Sequence, residues 1–184
     1  DRGLSIRDRR RVKIFRYLDK AGTMGFGRFD EQGQMLLILK KDNGDFEATE
    51  ERITPFRFLT PIDFRCIYGV GLNYKAHAQE TGKEMPKHPM IFMKAPTTSQ
   101  STGDPIVIPR FLRSDKVDYE GELGVVIGKP CKNVKPEEAL SYVLGYTCAN
   151  DVSARDWQKE KGEGQFCRGK SFDTFCPVGP CLTT

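Results

Sequence analysis

Three carboxylates, Asp118, Glu120 and Glu122, alternate along the stretch DYEGELGVVIG. In an extended strand, residues two apart project to one face, about 7 Å from each other. Ionised carboxylates so placed repel unless water or a cation screens them. A solvated strand edge is the plain reading of such a pattern. Two features argue against it. The same face continues as Gly124, Val126 and Gly128, small and apolar rather than water-facing, and Gly121 and Gly124 beside the acids signal the close approach of another group. A hard divalent cation, which favours oxygen ligands in near-octahedral geometry, accounts for both. Two carboxylates of this strand would bind it together with Asp151, which ends the strand YTCAND. The opposite side, Tyr119, Gly121, Leu123, Val125 and Ile127, reads as the strand's core face.

A base is needed for proton transfer, and GVGLNYKAHAQE offers one. Its Asn73, His77 and Glu80 stand at i, i+4 and i+7, on one helical face. Glu80, one turn beyond His77, can orient the imidazole and raise its basicity. Lys170, set among Gly169, Phe172 and Phe175, would place an ammonium where it balances negative charge near a metal. It lies in GQFCRGKS (Gly164 to Ser171), which matches a phosphate-binding loop letter for letter. That loop requires an apolar strand before it and a helix after it. Here VSARDWQKEKGE precedes it, and Pro177 and Pro180 follow too soon for a helix, so nucleotide hydrolysis is not the reading.

The elements that must position these groups are mostly strands. Val12 to Tyr17 and Met35 to Leu39 lie in a small β-rich lead-in, residues 1–60, punctuated by Gly22, Gly25, Gly27 and Gly33. Residues 61–184 add strands at Cys66 to Val70, Met90 to Lys94, Ile106 to Ile108, the acidic stretch, and Tyr142 to Ala149. Helices are expected at Asn73 to Thr81, capped by Asn73 and stopped by Gly82, and at Pro136 to Leu140. The class is β-dominated α+β.

With 184 residues and 38% hydrophobic content, the chain can bury a core as one domain with a small appendage. No apolar run approaches the roughly 18 residues of a membrane helix, so no membrane partner is expected. Net charge is +4, but residues 1–20 hold eight Lys or Arg against three Asp, leaving the remainder near neutral. That distribution gives no footprint for nucleic acid, and the basic start reads as a solvated segment. Six cysteines without a Cys-x-x-Cys pair, and only two histidines, exclude a structural zinc site. Reduced thiols in a cytosolic or organelle-matrix protein are expected.

In this order, GLNYKAHAQE, DYEGELGVVIG, GYTCANDVSARDWQ and GKSFDTFCPVGP resemble the fumarylacetoacetate hydrolase family, over about Cys66 to the end of the chain. Residues 1–60 resemble the small N-terminal region of many members. The resemblance implies a mixed β-sandwich or roll of the fumarylacetoacetase catalytic type, incomplete here at its C-terminal end. It implies a Mg2+, Mn2+ or Ca2+ site of Glu120, Glu122 and Asp151, with Asp118 as a flanking acid, and His77 and Glu80 as a water-activating dyad on a helix that closes over the substrate. Arg155 and Gln158 would orient substrate oxygens, and Lys170 would stabilise developing charge. Implied substrates are 2-oxo and 2,4-dioxo acids, with hydrolysis of a C–C bond as the leading reaction. Decarboxylation of oxaloacetate and enol–keto isomerisation share the platform, a non-catalytic truncated homologue is the remaining alternative, and the full-length protein would be a homodimer. Val70 stands where the founding member has an extra aspartate ligand, which places this chain among members with three carboxylates.

Overall fold

The computed structural model describes residues 12–40 and 46–184. Most of the basic start therefore lies outside the described residues. The chain opens with β1 (Lys13–Leu18), β2 (Met24–Phe29), β3 (Met35–Lys40) and β4 (Phe46–Ile53), an antiparallel meander. Its first two turns are built by aspartates. Asp19 accepts from the backbone N–H groups of Ala21 and Thr23, Asp30 does the same for Gln32 and Gln34, and Gly22 and Gly33 supply the left-handed residues.

Next come β5 (Arg57–Phe58), β6 (Ile67–Gly71), helix α1 (Lys75–Glu80), β7 (Met90–Lys94), β8 (Ser99–Gln100), β9 (Val117–Asp118) and β10 (Gly121–Ile127). The last elements are β11 (Val143–Asn150), β12 (Ser153–Ala154), α2 (Arg155–Gln158), α3 (Phe166–Lys170) and β13 (Cys176–Thr183). Nine strands join one sheet in the order β10-β11-β13-β1-β2-β3-β4, with β5 on β1 and β8 on β13. The meander is thus hydrogen-bonded to the chain's last strand, Lys13 opposite Thr183 and Ile14 opposite Leu182. Ile14, Ile38, Phe46, Val126 and Leu182 share one core. A second core of Val152, Ala154, Phe172 and Phe175 lies under α2 and α3.

Four expectations are corrected. The side of β10 read as its core face is exposed: Leu123 is 61%, Val125 50% and Ile127 57% accessible. The strand packs by its acid side, where Val126 enters the main core and Glu122 and Gly124 are half-buried. The reason is position: β10 ends the sheet, and α2, α3 and β12 gather on the acid side. Second, Ile106 to Ile108 forms no strand. Pro105 and Pro109 remove donors on both sides, and Val107 N–H bonds Thr174 Oγ1 instead, at 2.8 Å. Third, α1 starts one residue later than the Asn73 cap implies, with Tyr74 at its N-cap and no side-chain capping bond. Fourth, Pro136–Tyr142 is a 3-10 helix rather than an α-helix.

Candidate metal centre and active site

The acid stretch is two strands, and the break serves the site. β9 pairs with β12, setting Asp118 opposite Ser153, whereas β10 pairs with β11, setting Glu122 opposite Ala149. Between them Glu120 is fixed by its backbone: its N–H donates to Asn150 Oδ1 and its carbonyl accepts from Asp151 N–H. Glu120, Glu122 and Asp151 are thereby brought together, each with a carboxylate oxygen within 4.8 Å of the others. Gly124 matters through β11 rather than a ligand, because a Cβ there would sit 2.9 Å from the Thr147 methyl; around Gly121 the space is open.

Three cations surround the carboxylates. Lys170 is 2% exposed, and its Nζ donates to Glu120 Oε2 at 2.9 Å, Asp151 Oδ2 at 2.6 Å and Ser153 Oγ at 2.7 Å. It also lies 5.1 Å from the centre of the Phe92 ring. Gly169 allows this placement: a Cβ there would lie 2.5 Å from Gln158 N and 2.7 Å from the Ala154 carbonyl, forcing α3 off α2. Lys94, at the end of β7, is equally buried and donates to Asp151 Oδ1 at 2.5 Å and to the Val152 carbonyl at 3.3 Å. Arg155 donates through Nε and Nη2 to Asp118, pairs with Glu120 Oε1 at 2.6 Å and donates to Gln158 Oε1 at 3.0 Å.

The protonation balance follows from these contacts. Burial pushes the Glu120 carboxyl up, but the bonds and charges of Lys170 and Arg155 outweigh it and hold the group below its ordinary value. Glu122 moves the other way. Burial raises it first, a hydrogen bond from the Tyr74 hydroxyl lowers it, and the charges of Glu120 and Asp151 raise it again. Among the described residues it is the one carboxylate of the three without an ion-pair partner. An uncompensated, half-buried carboxylate beside two others is a donor set suited to a hard cation. Burial also depresses Lys94, against the pull of Asp151. Cys176, buried nearby, is pushed up to about 11 by burial, so its sulfur stays a thiol and offers no nucleophile.

His77 and Glu80 lie on α1, both exposed, with Nδ1 and Oε2 3.9 Å apart, beyond hydrogen-bond length. The contact tying α1 to the acid face is Tyr74, whose hydroxyl accepts from the Leu123 N–H of β10 at 3.0 Å. The phosphate-loop reading stays excluded: the motif itself contains α3, and Ser171 Oγ accepts from Ala95 N–H. Sequence reasoning missed Lys94, Tyr74, Ser153 and Asp156. Lys94 closes the run MIFMK and looks like the polar end of a strand; only its alternation with Met90 and Phe92 hints that it points inward.

Asp156 locks α2 in place. It accepts from Ser114 Oγ, from Lys161 Nζ at 2.8 Å and from Trp157 N–H at 3.0 Å. Burial opposes ionisation, but these bonds bring the carboxyl down to about 2, against 3.8 unperturbed. A depressed acid contributes stability that is present above its unfolded value and is lost as pH falls through the folded one. We expect about 1–2 kcal/mol of stability to disappear between pH 4 and pH 2 on this account, after allowance for solvent screening. Acid titration of the melt of Asp156→Asn checks this: the variant should start lower and lose correspondingly less.

A β-dominated sheet with an acid cluster on the inward side of its end strand, flanked by buried lysines, defines a carboxylate-based centre of the kind that holds a divalent cation. Residues 66–184 match the family model described as fumarylacetoacetate (FAA) hydrolase C-terminal, and the chain belongs to the fumarylacetoacetate hydrolase family. It is 39% identical over 183 residues to a mitochondrial oxaloacetate tautomerase of Xenopus laevis, covering 99% of this chain and 57% of that protein. Among solved structures it resembles 5-carboxymethyl-2-hydroxymuconate delta-isomerase from Mycobacterium smegmatis, with TM-score 0.78, 36% identity and coverage of 93% and 66%. A second is fumarylacetoacetate hydrolase from Exiguobacterium antarcticum, with TM-score 0.73, 33% identity and coverage of 94% and 66%. The chain spans 39–60% of the length of the curated relatives it matches. The fold expectation of a fumarylacetoacetase-type, β-dominated α+β protein holds. No described helix is long and apolar enough to cross a membrane.

Proposed function

We propose that this chain carries the metal centre of an enzyme that acts on 2-oxo acids through their enolates. The observation that carries the reading is that one cluster holds both Glu122, which has no ion-pair partner among the described residues, and the buried ammonium of Lys170, which bridges Glu120 and Asp151. Glu120, Glu122 and Asp151 would hold Mg2+, Mn2+ or Ca2+. Bound there, the ion supplies Lewis acidity toward an enolate.

Charge sets the substrate class. Four carboxylates (Asp118, Glu120, Glu122, Asp151) face three cations (Lys94, Lys170, Arg155), a net of one negative charge. A divalent ion turns this into one positive charge, which suits an anionic acid. Lys170, fixed and desolvated with its three N–H groups on Glu120, Asp151 and Ser153, would stabilise the negative charge that develops on the substrate through space, by its field rather than by a direct hydrogen bond. Arg155 and Gln158, bonded to each other, orient substrate oxygens. His77 moves the proton, and Glu80, 3.9 Å away on the same helix, would orient it once the pair closes to hydrogen-bond length.

Keto–enol conversion of an oxaloacetate-like acid needs only these proton transfers, and the tautomerase aligned with almost the whole chain supports it. A second reading is hydrolysis of the C–C bond of a 2,4-dioxo acid of the acylpyruvate or fumarylpyruvate type. The exposed His77–Glu80 pair favours it, since a base outside the carboxylate cluster can take a proton from the water that attacks the distal carbonyl. Decarboxylation of oxaloacetate would use the same platform without that water. The whole protein would act as a homodimer in the cytosol or mitochondrial matrix.

The test follows the enol absorbance of oxaloacetate and of acetylpyruvate, and the thermal midpoint, with Mg2+, Mn2+ or chelator. At a hundredfold excess over Kd the ion should add about 2.7 kcal/mol, or roughly 5–10 °C. Glu122→Gln should lose most of the shift and the metal-dependent rate. Faster enol decay without cleavage products supports tautomerisation; release of pyruvate from acetylpyruvate supports hydrolysis. A cooperative melt indifferent to metal overturns the site.

A further inference from the structure

Tyr74 stands where two parts of the site meet. It immediately precedes α1, three residues before His77, with an extended backbone and no side-chain capping bond. Its hydroxyl is anchored on β10 beside Glu122. It accepts from Leu123 N–H at 3.0 Å, and Leu123 directly follows Glu122 in the strand. β10 ends the sheet, so this amide has no neighbouring strand to bond, and the phenol takes that role. The rest of the attachment of α1 is slight: Ala78 is its buried residue, and His77 and Glu80 are exposed.

We propose that Tyr74 is a positioning residue that couples cation binding at Glu122 to the seating of α1, and so to the placement of His77. The inference rests on Glu122 as a metal ligand and His77 as the base, as proposed above. A phenol that holds the Leu123 N–H fixes the backbone next to Glu122, the segment from which that carboxylate projects, and so does the work of an outer-shell partner. A cation that immobilises Glu122 in turn steadies the same segment, gives the phenol a fixed donor, and through it fixes the entry to α1. The coupling is reciprocal, because whatever the cation does for the helix the helix does for the cation.

Amide hydrogen exchange, with Mn2+ as the probe, tests this on the whole chain and on Tyr74→Phe, which keeps the ring. In the unaltered chain Mn2+ should slow exchange both in β10 and β11 and across residues 75–82. In Tyr74→Phe, Mn2+ should still protect β10 and β11, with about tenfold weaker affinity, while residues 75–82 no longer respond. In turnover assays, Tyr74→Phe should lower the rate in the unaltered background and add little in a His77→Gln background, since it acts through His77. Equal Mn2+ protection of residues 75–82 with and without the hydroxyl overturns the coupling while leaving the metal site intact. No Mn2+ effect on the melt or on β10 overturns the metal site and the coupling with it.

Discussion

Replacing Lys170 by Met should cost about 100–1000-fold in kcat for enolate formation, with a smaller change in KM, and should destabilise the chain by about 3 kcal/mol in chelator. The rate effect follows from place: the ammonium is 2% exposed, fixed by three partners, and cannot be replaced by water. The stability effect has a separate cause. Without Lys170, Glu120 and Asp151 face each other and Glu122 with only Lys94 and Arg155 to compensate. A divalent ion neutralises those same carboxylates. The melting deficit, about 6–12 °C in chelator, should therefore shrink when Mn2+ is added. A deficit of the same size in both conditions would mean that the ammonium and the ion do not share carboxylates, and the site would need redrawing. Lys170→Arg should not rescue activity, because a planar guanidinium needs more width than the slot beside Phe92 and Ser153 provides.

How much of this could be read from the sequence depended on whether the determining contacts were local. The acid cluster was legible because Glu122 in β10 and Glu120 just before it are two apart in near-extended chain, and Asp151 directly follows β11, the strand paired with β10. The strand's inside and outside were read the wrong way round. Alternation shows that two faces differ, but which face is covered depends on what packs there, and α2 and α3 come from residues 30 to 50 positions later. Leu123, Val125 and Ile127 look like core on hydrophobicity, yet among the described residues nothing covers them. Lys94 was invisible for the same reason: its partner Asp151 is 57 positions away. Arg155 was expected to face substrate, and its present bonds to Asp118 and Glu120 show what orients it, a role that motif matching does not disclose. The turns of the meander, by contrast, are set by Asp and Gly within four residues and were marked by their glycines.

Asp151→Asn should be among the most damaging single changes in the chain, and a second substitution should repair it. The carboxylate's two oxygens serve different lysines, Oδ1 holding Lys94 and Oδ2 holding Lys170. Once it is neutral, Lys170 still has the charge of Glu120, but Lys94 has no carboxylate left, only neutral acceptors such as the Val152 carbonyl at 3.3 Å, in a site 2% exposed. A buried charge stripped of its partner costs about 3–5 kcal/mol, whereas removing both partners of a buried pair costs little or even stabilises. Asp151→Asn combined with Lys94→Met should therefore be more stable than Asp151→Asn alone, with a coupling of about 2 kcal/mol or more in a double-mutant cycle. Denaturant unfolding of the four proteins measures it, and simple additivity would show that the 2.5 Å contact carries no net energy. Metal response separates folding from function in the same set. Lys94→Met keeps the three carboxylates and should keep a cation-dependent melt; both proteins with Asn at position 151 should lose it. A double variant that folds well but ignores the cation would mean that this buried pair is carried for chemistry at some expense to stability.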